Sequence, residues 1–395
     1  MSDLKTDTDI AIVGGGLSGT IAAIVFARAG LRVALIDRNE TAPHEFRVEK
    51  IGGEQLAKLE RLGLLDVLAT HSSRFDRATN VRRGRVVDYT DGPYHAIFYR
   101  DLVNAMRATL PPTVTTVIGR VVDIEASVGR QLVKVADHPD ISARLVVLAS
   151  GMSDILRSRL GIKREVLHER QSLTFGFNLK PTGNDAMPRA HTFYGERPSD
   201  GIDYLTLFPL GDVIRANVFV FLDHRAPWIK ELRTDPLAAL ATRISSLRRY
   251  LGDATLDGKV QSWIMDLAVA RDVRRPGIVL IGDAYQTSCP AAGTGVSRLL
   301  TDVQQLSYLA PSWLQTPGMG ADKIAAFYDD PVKVAMDAHA LSLAEQRRSF
   351  TIDTSLTWRT RRQSQFIRRR IMHEMARVSP ALAAGIRSLR GSSRR

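Results

Sequence analysis

Over the first fifth of the chain, hydrophobic runs of strand length alternate with a run of helical length. Asp9-Ile-Ala-Ile-Val13 is a continuous apolar run of the kind shown by a strand buried on both faces. Gly14-Gly-Gly-Leu-Ser-Gly19 follows it, then Thr20 to Ala29 is rich in Ala, Ile and Val over a helix's length. Gly30 stands where a helix C-cap glycine belongs, and Arg32-Val-Ala-Leu-Ile-Asp37 predicts a second strand ending on an acid. The order is β-α-β. Further on, Leu56, Leu59, Leu62 and Leu65 predict one amphipathic helix over 54–69. Alternation over 85–99, broken by Asp91-Gly92, predicts a hairpin. The stretch 114–135 predicts two strands around Gly129, and Leu145-Val-Val-Leu148 predicts another buried strand.

From Glu165 to Asp266 the texture becomes β-rich. Leu173 to Leu179, Thr192 to Tyr194, Tyr204 to Pro209 and Ile214 to Leu222 predict strands of a mostly antiparallel sheet, with a single helix over 236–251 packed on it. Gly277-Ile-Val-Leu-Ile-Gly282 then returns to the buried-strand style of the opening, so a distant segment completes the first domain. The expected fold class is α/β with interleaved domains. Residues 1–75, 100–165 and 267–330 build the first domain, 76–99 and 166–266 the second, and 331–395 form a basic helical C-terminal segment.

Composition narrows the class without naming a function. At 395 residues, 44% hydrophobic and 24% charged, the chain reads as an ordinary globular protein rather than a disordered or fibrous one. Its one cysteine, Cys289, can form no intramolecular disulfide and builds no Cys-rich zinc site, which suits a reducing, cytoplasmic setting; no metal is expected. No secretory signal opens the chain, and no apolar run reaches the ~20 residues a bilayer span needs. The net charge of +12 is concentrated: residues 341–395 hold 13 Arg and three acids, leaving the rest nearly neutral.

The chemistry lies in two glycine-rich turns. Gly14-x-Gly16-x-x-Gly19, with Leu17 and Ser18 inside it, stands between a strand and a helix, where glycines permit a sharp turn and backbone N–H groups approach a pyrophosphate at the helix N-terminus. Asp37 stands where an acid accepts hydrogen bonds from an adenosine ribose, with Arg38 beside it. Far downstream come Gly282-Asp283-Ala284 and then Cys289-Pro290-Ala-Ala-Gly293-Thr294-Gly295-Val296-Ser297. This pair of motifs resembles the two FAD signatures of the para-hydroxybenzoate hydroxylase-like aromatic hydroxylases, a family of FAD-dependent monooxygenases. The resemblance covers residues 9–310. It implies a Rossmann-like FAD-binding domain interleaved with a β-sheet substrate domain, with Asp283 on the ribityl chain and the Pro290 to Gly295 turn opening a helix aimed at the flavin. It also marks Arg47, in Phe46-Arg47-Val-Glu-Lys50, and Arg100, in Tyr99-Arg100-Asp-Leu102, as cofactor contacts.

Two departures bear on the reaction. Ser297 replaces the family's usual Asn. Ala149-Ser150-Gly151-Met-Ser-Asp154-Ile-Leu-Arg157 aligns with the family pattern Ala-Asp-Gly-x-x-Ser-x-x-Arg, but with Ser at 150 and Asp at 154. The Ala-Ser-Gly version is similar to that of flavin-dependent halogenases, although no Trp-x-Trp-x-Ile-Pro stretch accompanies it. The electron donor therefore stays open between NAD(P)H acting directly and a separate reductase. The resemblance implies oxygen transfer through a flavin hydroperoxide, as in secondary metabolism, to an apolar aromatic, phenolic, quinone or polyketide-type substrate. Dehydrogenation or reduction is the alternative, and halogenation of a carrier-bound substrate a further one. Candidates for the pocket, placed between flavin and β-rich domain, are Phe175, Phe177, Tyr204, Phe208, Arg215, Asn217, Phe219 and Trp263, with His191 also on these strands; no acid or base is assigned. The Arg-rich tail fits an anionic membrane surface, peripherally bound, or an acidic carrier protein, with no nucleic-acid motif beside it.

Overall fold

The apolar run at the start of the chain becomes β1 (Thr6–Val13), whose residues from Ile10 to Val13 are all buried in the computed structural model, which describes residues 6–181 and 189–378. It is followed by α1 (Leu17–Arg28), β2 (Val33–Asp37) and β3 (Val48–Gly52). Gly30 has φ of +81°, the left-handed C′ conformation that ends α1. The single helix expected over 54–69 is two, α2 (Glu54–Arg61) and α3 (Leu65–His71). Gly63, at φ +65°, turns the chain between them, and the leucine spacing continued across a break it could not reveal.

The hairpin also differs from expectation. β4 (Ser73–Arg82) and β5 (Arg85–Phe98) turn at Arg83 and Gly84, both at positive φ, as a two-residue hairpin loop requires. Asp91-Gly92 lies inside β5; Pro93 follows it, so the dipeptide marks an irregularity in a strand and not a turn. Then come α4 (Tyr99–Arg107) and three strands where two were expected, β6 (Val114–Ile118), β7 (Val121–Glu125) and β8 (Gln131–Val135), with Gly129 between the last two. β9 (Ile141–Leu148), α5 (Ile155–Arg159), β10 (Lys163–Lys180), β11 (Ala190–Tyr194), β12 (Ile202–Leu210) and β13 (Val213–Val220) continue the chain. After α6 (Pro227–Thr234), the helix expected over 236–251 is two short ones, α7 (Pro236–Arg243) and α8 (Leu247–Leu251). Pro236 starts α7 with Asp235 as its cap, and Ser245 leaves the helical path by bonding Glu196 through both its N–H and its hydroxyl. β14 (Thr255–Arg271), β15 (Ile278–Leu280), α9 (Gly295–Gln315), α10 (Ala321–Tyr328), α11 (Pro331–Ile352) and α12 (Leu356–Val378) complete it.

Two units result, one of Met1–Ser73, His95–Gln171 and Met265–Ala344, the other of Arg74–Tyr94, Ser172–Ile264 and Glu345–Arg395. The basic C-terminal segment is therefore shared between them and forms no body of its own; its last part, 379–395, lies outside the described residues. In the first unit the sheet runs β6-β2-β1-β9, parallel throughout. β9 then forks: residues 141–143 pair antiparallel with β8, and 146–148 pair parallel with β15. α1, α4 and α9 contribute to the core on one face. In the second unit β10, β13, β12 and β11 run antiparallel, and β4 joins parallel to β11. One face of that sheet, with Phe175, Phe177, Phe193, Leu205 and Val218, buries the apolar sides of α6 to α8. No helix among the described residues is long and apolar enough to cross a membrane.

The first unit contains one buried charge cluster. Lys333 is 1% exposed; its Nζ is 2.7 Å from Asp302 Oδ1 and 2.9 Å from Asp337 Oδ2, and lies 4.0 Å from the centre of the Tyr285 ring. Arg298 Nε meets Asp337 at 2.9 Å and its Nη1 meets the Gln286 carbonyl at 2.5 Å. Removing the central cation strands two carboxylates in the interior. Lys333→Met is expected to lower unfolding free energy by about 3–5 kcal/mol in urea denaturation, and adding Asp302→Asn to recover part of that loss.

Candidate functional site

The glycine loop is shaped by close backbone approach. A Cβ on Gly19 would lie 1.9 Å from the Gly14 carbonyl oxygen, and one on Gly14 2.5 Å from the Ala149 carbonyl oxygen; Gly14 also has φ of +107°. Only glycine satisfies both positions. The Gly15 N–H donates to Asp37 Oδ2 at 2.6 Å, and the Asn39 N–H to Asp37 Oδ1 at 2.8 Å. Asp37 thereby ties the end of β2 to the loop. Arg38, beside it, is exposed.

α4 braces the same loop from two positions. At its start the Tyr99 hydroxyl accepts from the Leu17 N–H at 3.2 Å. Two turns later Arg107 donates to the Gly15 carbonyl through Nε and Nη2, at 2.9 and 2.6 Å, and through Nη1 to the Asn39 and Glu40 carbonyls. Arg107 was not among the sequence candidates; its eight-residue spacing from Tyr99, with Val103 between on the same helix face, was the available signal. Arg100, the candidate, instead pairs with Asp101 at 3.0 Å. Arg47 lies with its guanidinium 3.5 Å above the Tyr99 ring and 3.2 Å from Glu45. Burial opposes its charge, but Tyr99, Glu49, Glu45 and Asp283 outweigh burial and raise its pKa above the ordinary arginine value.

The second signature arrives against the first. A Cβ on Gly282, which has φ of +60°, would lie 2.4 Å from Ser18 Oγ in the first turn of α1. The Gly282 N–H donates to Asp302 Oδ2 at 2.8 Å, and Asp283 follows within electrostatic reach of Arg47. Pro290 opens one helical turn with Cys289, buried, ahead of it; Gly293 follows at φ +67°, Thr294 precedes α9, and Val296 is buried in its first turn. The altered third element joins them through Arg157, which pairs with Asp154 and donates to the Ala284 carbonyl at 2.6 Å. The exchange of Ser and Asp thus leaves a carboxylate on Arg157 and a hydroxyl at 150, next to the glycine loop.

These residues fit FAD. Three buried polar atoms around the signatures, Arg47 Nε, Ser150 Oγ and Thr294 Oγ1, make no hydrogen bond within the protein. Burying such atoms unsatisfied is costly, so a polar ligand there offsets a real penalty. The N-termini of α1 and α9 add partial positive charge suited to phosphate and to an electron-rich ring. Gly14, Gly16, Leu17, Ser18, Gly19 and Asp37 would form one arm of a cradle for FAD, and Gly282, Asp283, Pro290, Gly293, Thr294, Gly295 and Val296 the other.

The face of the second unit's sheet opposite α6 to α8 is patterned in rows. Register places Thr174, Phe219, Tyr204 and Tyr194 side by side on successive strands, with Arg82 beside Tyr194. The next row is small and polar: Gly176, Asn217, Thr206, Thr192 and Asn80. A third carries Asn178, Arg215 and Phe208. Ring centres of Tyr204 and Phe219 are 4.6 Å apart, and Phe208 stacks on Phe75 at 6.0 Å. Arg215 donates to the side-chain oxygens of Asn217 and Asn178, and burial pushes its pKa down to about 10. Of the pocket candidates, Tyr204, Phe208, Arg215, Asn217 and Phe219 share this face. Phe175 and Phe177 point the other way into the helix-packed core, Trp263 is 48% exposed on β14, and His191 packs on Phe193 and Tyr250, its pKa lowered by burial. Alternation puts odd and even positions of a strand on opposite faces, and the sequence did not say which face carried helices.

The sequence profile of the FAD binding domain family matches residues 7–310. The chain belongs to that family. Among similar proteins, 6-methylpretetramide 4-monooxygenase of Streptomyces rimosus is 27% identical over 75% of this chain and 73% of its own length. Aklavinone 12-hydroxylase of Streptomyces peucetius is 26% identical over 76% of this chain and 67% of its own. The crystal structure of p-nitrophenol 4-monooxygenase from Pseudomonas putida DLL-E4 superimposes with a TM-score of 0.74 at 15% identity, covering 98% and 99% of the two chains, and so shares the fold. FAD is the cofactor, and these findings agree with the expectation from the two signatures: an FAD-dependent monooxygenase.

Two substitutions separate the roles of the loop. Gly19→Ala is expected to abolish retention of FAD, read as loss of the flavin absorbance from purified protein. Arg107→Met, which removes four hydrogen bonds but no close approach, is expected to weaken FAD binding at least about tenfold in a fluorescence titration while the fold persists by circular dichroism.

Proposed function

We propose that this FAD-dependent monooxygenase hydroxylates a flat, apolar ring system carrying phenol, quinone or ketone oxygens, bound along the small-residue row of the second unit's sheet. The observation that carries this reading is the contrast between rows. Gly176, Thr206 and Thr192 form a row of small side chains between the rings of Tyr194, Tyr204 and Phe219, which a planar substrate would meet, and the row of Asn178, Arg215 and buried Phe208. Asn217 gives its side-chain oxygen to Arg215, which leaves its amide NH2 to donate to a substrate oxygen. Arg347 grips Asp203 at 2.7 Å and lies 4.9 Å from the Tyr204 ring centre, fixing that edge of the small-residue row.

FAD, when bound and reduced, supplies activation of O2 and insertion of one oxygen atom. The chain's residues hold the reacting partners: Gly15, Asp37 and Arg107 fix the loop that takes the dinucleotide, and the α9 N-terminus stabilises negative charge at the ring end. The electron donor is NAD(P)H, directly or through a reductase. The two Streptomyces relatives carry polyketide substrates in their names, which supports the ring-system class. Ser150 in place of Asp favours halogenation as a second reading. A protein partner or a membrane met by the Arg-rich tail would deliver the substrate.

Steady-state oxygen uptake with a panel of phenols and polycyclic quinones tests the reading. A substrate is expected to accelerate NAD(P)H oxidation and O2 consumption and to emerge with one added oxygen. Product halogenated when bromide or chloride is present would favour the second reading, and turnover without O2 uptake would favour dehydrogenation. Thr206→Trp, which puts a large ring into the small-residue row, is expected to raise KM at least about tenfold with FAD content unchanged.

A further inference from the structure

The C-terminal arginines divide into two sets by what they touch. On α12, Arg362 is buried and donates to the Phe350 and Asp353 carbonyls, at 3.0 and 2.6 Å. Arg369 forks onto Asp88, with both contacts at 2.6 Å, and Arg370 donates to the Val86 carbonyl at 2.7 Å. Arg369 and Arg370 hold the helix to β5 of its own unit, and Arg362 holds it to the end of α11. Arg359, Arg361 and Arg368 are exposed and meet no carboxylate among the described residues.

The outward face of the same helix carries aliphatic side chains among the exposed polar ones of Thr360, Gln363 and Ser364. Leu356 is 77% exposed, Ile367 45% and Ile371 54%. At 100° per residue these three fall within a sector of about 60°, and Arg359, Arg361 and Arg368 lie about 90–110° to either side of its midline. Exposed aliphatic side chains on one sector, interspersed with Thr360, Gln363, Ser364 and the Arg370-paired Glu374 and flanked on both sides by arginines whose long stems can reach past them, suit a helix lying in the plane of a lipid interface. Guanidinium groups at that height meet phosphate or carboxylate headgroups in forked hydrogen bonds. The sequence beyond the described residues continues the charge, with four arginines and no acid in 379–395.

We infer that the exposed face of α12 docks on an anionic phospholipid surface, with Leu356, Ile367 and Ile371 entering the headgroup boundary and Arg359, Arg361 and Arg368 meeting lipid anions. The 13 arginines against three acids over 341–395 make the segment complementary to an extended anionic surface, and spaced aliphatic side chains require no shaped pocket to receive them. The inference stands on α12 alone and is independent of the reaction carried out elsewhere in the chain.

Co-sedimentation of the FAD-loaded full chain with phosphatidylcholine vesicles, with and without about 30% phosphatidylserine, tests it. Binding is expected to the anionic vesicles, to fall with rising salt, and to be absent from neutral ones. Arg359→Gln with Arg361→Gln and Arg368→Gln, and separately Ile367→Ser with Ile371→Ser, are each expected to weaken it at least about tenfold while flavin absorbance stays unchanged. Equal binding to neutral and anionic vesicles overturns the inference. So does binding by either variant equal to that of the unsubstituted chain, which would place any lipid contact elsewhere. Saturable binding to an acidic acyl carrier protein, with none to vesicles, also overturns it and makes the face a protein-docking surface.

Discussion

Three backbone segments meet in the first unit at distances no side chain permits. α1 packs onto its own loop through Gly19, the loop packs onto the end of β9 through Gly14, and Gly282 brings the second signature onto Ser18. Because these approaches are backbone to backbone or nearly so, they fix the cradle to a fraction of an ångström before any hydrogen bond is counted. Asp37, Tyr99 and Arg107 then bond the Gly15 N–H, the Leu17 N–H and the Gly15 carbonyl. What is left unpaired, at Arg47, Ser150 and Thr294, is polar, buried and gathered around the signatures. Affinity for a dinucleotide is thus a property of spacing first and of charge second.

The second unit solves a different problem with one sheet. Its helix-facing side is an aliphatic and aromatic core, closed by α6 to α8, and stabilises the unit. Its other side is rich in Thr, Asn, Tyr and Arg, which add polar groups to strand-favouring side chains and would suit a ring with oxygen substituents. Asp203, at an irregularity between Ile202 and Tyr204, turns a carboxylate to Arg347 and Thr351, so α11 is latched beside the ring row. Stability and recognition are assigned to opposite faces of the same strands.

Most of the cofactor site was legible in the sequence because it is written in glycines whose spacing has few other uses. The strand, turn, helix and strand order placed Gly14 to Asp37, and the apolar return at Gly277 placed the closing strand. Features that depend on facing were less visible. Leu62 and Leu65 kept a helical period across the Gly63 turn, and Asp91-Gly92 resembled a turn that Pro93 and the neighbouring strand absorb. Phe177 and Tyr204 look equivalent on paper, yet only the packing of α6 to α8 decides which faces the core. Arg107 was missed since most of its partners are loop carbonyls and its carboxylate partner, Asp37, is distant in sequence, so only its helical spacing from Tyr99 pointed to it.

The forked strand β9 sets the order in which the molecule can be assembled. Its first half finds β8 within a few residues of turn, whereas its second half waits for β15, some 130 residues later in the chain. The intervening stretch builds most of another unit, which itself lacks α12 until some 100 residues after its last strand begins. Neither body can therefore reach its final contacts during early synthesis, and contact order of this kind slows folding and prolongs the lifetime of open sheet edges. A cofactor held by both signatures would find its site complete only once that long excursion has closed the first unit's sheet.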